Sequence, residues 1–225
     1  TVKNLSGARH TEESAVRTMA LITMPCAVGL AVLAEPIIRL LASNYGAESL
    51  ATATPILMYL GIAVIFNSTV LLFNAIMQAH GDVTTPVVNM LIGGIVKVIV
   101  NYILVGIPAL NIVGAAIGTV ICYLTITILD LIAMRKTVTT RPLIFRNIIR
   151  PGLAALLMGA ATVLSYRVLA RLVSSNTVAC LGALVIAVIA YAILVLALQC
   201  ITYEDCMLFP KGEKIAKILH IRRRS

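Results

Sequence analysis

Apolar residues in this chain gather into runs of 20 or so, not into the alternations or narrow stripes of a water-soluble domain. Polar breaks separate six such runs, at 18–42, 54–78, 86–105, 112–134, 152–172 and 178–202. A helix rising 1.5 Å per residue needs about 20 residues to cross a hydrocarbon core of about 30 Å. The pattern therefore predicts an all-α membrane protein with six transmembrane helices.

The charges between the runs predict an orientation. Fourteen of the 18 Lys and Arg fall on one side: Lys3, Arg9 and Arg17; Arg135, Lys136, Arg141, Arg146 and Arg150; then Lys211, Lys214, Lys217, Arg222, Arg223 and Arg224. Arg39, Arg167 and Arg171 fall on the other, and Lys97 lies inside a run. Cytoplasmic loops carry the excess of Lys and Arg, so both ends of the chain are expected in the cytoplasm, with the helices in the plasma membrane. The division that follows is a cytoplasmic segment over 1–17, four helices over 18–134, a basic loop over 135–151, a helix pair over 152–202 and a basic tail over 203–225. In that tail Ile215, Ile218 and Leu219 interleave with the basic residues, a spacing suited to anionic headgroups or to a solvated end that only sets topology.

Composition changes the picture mainly by exclusion. With 60% hydrophobic residues, 12% charged and a mean hydropathy of +1.01, the chain lies far from soluble domains, in which about 25% of residues are charged. The net charge of +9 reads as topology, and no nucleic-acid partner is expected. Five cysteines without a Cys-x-x-Cys pair support neither a disulfide framework nor a zinc site. His10, His80 and His220 lie in separate segments, and His-Glu-x-x-His, Gly-x-Ser-x-Gly and P-loop patterns are missing. Asp82 has a partial likeness to the Gly-x-Gly-Asp of intramembrane proteases, but the first glycine is lacking and Asp82 falls in a loop. An enzyme is not expected, nor a cofactor. The chain starts at Thr1 without a signal-peptide core, and reads as the C-terminal part of a longer protein.

Ionisable and amide side chains at membrane depth carry the candidate chemistry, because each costs about 2.5–3.5 kcal/mol on insertion scales when charged. Lys97 stands about 18 Å into its run at 1.5 Å per residue, near the midplane. Asn89, Gly93, Lys97 and Asn101 recur every four residues and form a winding polar stripe. Asn67, Asn74 and Gln78 form a second stripe on the preceding helix. One reading is a hydrated cavity in which Lys97 attracts an anion and the amides donate hydrogen bonds; the other is that the amides join helices and Lys97 pairs with a carboxylate. Glu35 and Arg39, at i and i+4, read as a structural ion pair, and Asp130, close to Arg135 and Lys136, as interfacial. Pro25 predicts a kink whose freed carbonyl needs another donor. Gly114-x-x-x-Gly118 predicts close helix contact, and the last two runs, almost without polar residues, predict contact with lipid or hydrophobic tails.

Gln78-Ala79-His80-Gly81-Asp82-Val83-Thr84-Thr85-Pro86, Gly93 through Lys97 to Asn101, and Gly114-Ala115-Ala116 with Thr119 and Tyr123 together resemble polysaccharide-biosynthesis flippases of the stage V sporulation protein B type. These belong to the multidrug/oligosaccharidyl-lipid/polysaccharide (MATE-like) exporter superfamily. Leu33 to Ile38 and the segments 202–205 and 208–210 extend the likeness across roughly residues 15–215. The resemblance implies a bundle of about fourteen helices in two lobes plus a C-terminal pair, of which this chain is the C-terminal portion. It implies alternating-access flipping of a polyprenyl-pyrophosphate-linked oligosaccharide or peptidoglycan precursor. The partners implied are that anionic lipid, membrane lipids and a missing N-terminal lobe, with Lys97 helping to hold the diphosphate and the last pair accommodating the tail. A multidrug cation antiporter of the same superfamily and a non-transporting membrane scaffold are the alternatives.

Overall fold

The computed structural model describes residues 2–41, 46–138, 140, 143–173 and 175–200. These residues form seven helices and, among them, no strand: α1 (Val2–Val32), α2 (Ala34–Leu41), α3 (Ala47–Ala79), α4 (Thr84–Val105), α5 (Ile112–Thr137), α6 (Ile144–Leu172) and α7 (Asn176–Ala197). All except α2 are long and apolar enough to cross a membrane, as the six runs predict. The tail over 203–225 lies outside the described residues.

Helix boundaries follow from donors and prolines. The first apolar run divides in two because Pro36 has no N–H to give the carbonyl of Val32, where α1 ends. The eight-residue α2 then carries Glu35 and Arg39, whose side chains pair at 2.7 Å while half exposed. At its other end α1 extends far beyond the apolar run, through residues read as a polar segment. Arg9 and Glu13, one turn apart, pair at 2.9 Å there. Between α3 and α4 the chain reverses through Gly81, at φ +87°, a conformation that glycine adopts without steric cost. Asp82 then accepts a hydrogen bond from Thr85 N–H at 3.0 Å and caps the start of α4. At the end of α7, Gln199 at φ +49° lets Cys200 N–H reach back to the Val195 carbonyl at 3.0 Å.

The spanning helices pack in the order α4, α5, α3, α1, α6, α7, with α2 lying against α3 and α7. Small residues set the close approaches. A Cβ on Gly61 of α3 would sit 3.0 Å from the Ala27 carbonyl of α1, and one on Gly159 of α6 would sit 2.5 Å from Val28. Alanines Ala154, Ala155, Ala179, Ala183 and Ala187 are buried along α6 and α7, while Leu153, Leu156, Leu157, Leu164, Leu181 and Leu184 point outward.

Pro25 leaves the carbonyl of Leu21 without its helical donor, and the predicted substitute is present. Tyr191 of α7 donates its hydroxyl to Leu21 O at 2.8 Å. At the start of α7, Tyr166 of α6 donates to Asn176 Oδ1 at 2.8 Å, and Asn176 Nδ2 donates to the Pro36 carbonyl at 3.3 Å. Those two hydrogen bonds tie α6, α7 and α2 together.

Where the basic connections lie, polar groups from four segments meet. Glu13 accepts from Leu143 N–H at 3.0 Å, Glu12 from the Thr140 hydroxyl, and Asp82 from the Thr137 hydroxyl at 3.3 Å. His80 stands 3.5 Å from Glu12, an ion pair whenever the imidazole is protonated. Hydrogen bonds from the Thr85 side chain and backbone hold the Asp82 carboxyl below the usual carboxylate range.

Candidate functional site

The stripe on α4 is turned toward α5, and α5 answers it with a stripe of the same period. Gly114, Gly118, Cys122, Ile126, Asp130 and Met134 recur every four residues on α5, and all six are buried. Ridges built on every fourth residue suit helix packing, and these two run in opposite directions. Asn89 meets Asp130, Gly93 meets Ile126, Lys97 lies within electrostatic reach of Cys122, and Asn101 meets Gly118. The contacts are close: a Cβ on Gly114 would lie 2.7 Å from the backbone of Leu104. A Cβ on Gly118 would collide with the Asn101 amide oxygen, and one on Gly93 with Ile126. The predicted small-residue contact is thus made with α4.

Asn89 donates from Nδ2 to Asp130 Oδ1 at 2.9 Å, in a contact closed to solvent. Asp130, two turns from the end of α5, is 0% exposed and faces the helix packing, turned away from Arg135 and Lys136. Its position on the same face as Ile126 and Met134 turns it into the packed seam, whereas Arg135 and Lys136 are exposed. The missed signal was present in the chain, since extending Gly114-x-x-x-Gly118 by further steps of four reaches Asp130.

Lys97 is half-buried midway along α4, and among the described residues no carboxylate lies within ion-pair distance of it. Asn101 keeps its Oδ1 buried and without a hydrogen-bond partner. On α3 the three amides differ in surroundings. Asn74 is buried and donates to Met90 Sδ at 3.6 Å, Asn67 is half-buried, and Gln78 is exposed. The α4 stripe does not form the far wall of a gap facing α3, because α5 packs against both helices. Among the described residues no group of His, Cys, Asp and Glu is arranged to hold a metal.

Residues 3–189, from the start of α1 into α7, match the family model described as lipid II flippase MurJ. The chain belongs to the MurJ flippase family. No curated protein and no solved structure matches it. Membership in the MurJ family together with six spanning helices makes this a multi-pass bacterial membrane protein of the flippase class, a transporter of cell-wall biosynthesis. The matched MurJ segment includes both stripes, the Gly81 turn and the proline-bearing α1.

Proposed function

We propose that this chain is the C-terminal portion of a flippase that carries a polyprenyl-pyrophosphate-linked peptidoglycan precursor from the inner to the outer leaflet by alternating access. Membership in a family described as lipid II flippases carries the reading. Within the chain, Lys97 supports it: a half-buried ammonium in the middle of a spanning helix attracts a diphosphate and opposes a cationic drug. The outward leucines and valines of α6 and α7, among them Leu153, Leu157, Leu184 and Val188, offer the polyprenyl tail an apolar surface. A lipid-linked oligosaccharide of the sporulation-protein type shares the same diphosphate chemistry and is the second substrate of this reading. The basic connections and both ends lie on the cytoplasmic side.

The test is native mass spectrometry of the full-length protein in mild detergent, comparing wild type with Lys97→Gln. A co-purifying polyprenyl-pyrophosphate lipid is expected in wild type and expected to fall at least tenfold in the variant. Equal lipid occupancy in both removes Lys97 from the site, and organic-cation binding in place of any such lipid overturns the flippase reading.

A further inference from the structure

Two buried oxygens in the α3–α4–α5 packing, one to two turns from the helix ends beside the Gly81 turn, have no donor. They are Oδ2 of Asp130, whose residue is 0% exposed, and Oδ1 of Asn74, whose residue is 8% exposed. Helix register puts them at one depth. Val70 of α3 packs with Cys122 and Ile126 of α5, and Phe73 and Met77 pack with Met134. The segments run in the same direction, so one turn beyond Val70 and Ile126 stand Asn74 and Asp130. Asn89 supplies one donor, to Asp130 Oδ1, and its neighbour Met90 receives the amide N–H of Asn74. What is left is an acceptor at the level of an acceptor, and two such groups need a shared donor, which a proton on the carboxyl or the two O–H groups of a buried water supplies.

We propose that Asp130 is a proton-binding site, with the acid form donating from Oδ2 to the amide oxygen of Asn74. One proton then satisfies both orphaned oxygens and removes an uncompensated charge from the packing. The surrounding charges do not supply an alternative. On α4 the nearest is Lys97, two turns from Asn89 at the level of Cys122; on α3 the first titratable group is His80, beyond the helix end; on α5 itself Arg135 and Lys136 are exposed. Cys122 is the other titratable group on the α5 face and lies two turns away. The proposal does not depend on which substrate is flipped.

Infrared difference spectroscopy of the full chain reconstituted in lipid at neutral pH tests it. A carboxylic-acid C=O band is expected in wild type, lost in Asp130→Asn, which keeps the side-chain shape. In Asn74→Ala, which retains Asp130 and removes its acceptor, the band is expected to persist at a higher frequency. Absence of a band that depends on Asp130 overturns the proposal, and so does a band unmoved by Asn74→Ala. Disappearance of the band when choline chloride is exchanged for sodium chloride also overturns it, in favour of a sodium site. None of these readouts uses transport, so a failure here is distinct from a failure of the flippase reading.

Discussion

The two flanks of the helix row solve the same burial problem with different chemistry. On the α1–α6–α7 flank, interhelical polar contacts terminate on backbone carbonyls that prolines or helix ends have left open, as Tyr191 does for Leu21 and Asn176 for Pro36. The remaining contact area there is apolar, with alanines and glycines at the close approaches and Leu21, Met158, Leu194 and Val195 between them. On the α3–α4–α5 flank side chains meet side chains, Asn89 meets Asp130, and three amide or carboxylate oxygens, on Asn74, Asn101 and Asp130, stay buried without donors. Among the described residues of the α1–α6–α7 flank, Asn147 Nδ2 of α6 is the buried side-chain group left without a partner, and it is a donor. Buried acceptors without donors cost free energy in proportion to their desolvation, and they concentrate where a ligand or an ion is to be received.

The largest effect expected from breaking this contrast comes from the tightest contact. Gly114→Leu drives a side chain into the backbone of Leu104 and should destabilise the bundle by about 3 kcal/mol, at the upper end for overpacking. Gly94→Ala, on the same pair of helices but with nothing within 4 Å, should be neutral or stabilising. Thermal unfolding of both in detergent, followed by circular dichroism, checks the difference, and equal behaviour would mean that the α4–α5 contact is loose. Next comes Asn89→Ala, which strips Asp130 of its donor and should cost about 2 kcal/mol by the same assay.

A smaller effect separates the other flank. Tyr191→Phe leaves the Leu21 carbonyl bare and should cost about 1 kcal/mol. In a Pro25→Ala background the helix supplies its own donor to Leu21, and the same substitution should then cost close to nothing. A double-mutant cycle with no coupling would detach Tyr191 from the proline. The smallest effect lies at the Asp82 cap. Its carboxyl titrates below the ordinary range in the folded chain, so the stability it adds is present at neutral pH and is lost as pH falls through the folded value. The gap in unfolding temperature between wild type and Asp82→Asn should shrink as pH drops below about 4, and a gap independent of pH would remove the ionised cap from the account.

Much of the architecture was legible from the chain because a bilayer imposes a length and a polarity on every spanning helix, whatever its neighbours. Six apolar runs became six spanning helices, the Pro25 carbonyl required a donor, and Gly114 with Gly118 required a close neighbour. The helical start at Val2 was not legible. Its stability comes from local ion pairs and from contacts with residues 80, 140 and 143, which are remote in sequence. The break before Ala34 was written in Pro36 and hidden only by the apolar residues around it.

What the sequence determined by itself was periodicity: which residues of α4 share a stripe, and that such a stripe must meet protein or water. Which helix it meets was decided by tertiary packing. Periodicity describes one helix, whereas a partner is selected by shape across two, and α5 alone offers glycines where α4 brings Asn101 and Leu104. The same choice of neighbour put Asp130, read from the sequence as interfacial, into the seam opposite Asn89, because the face a residue occupies acquires an environment only when another helix is laid against it.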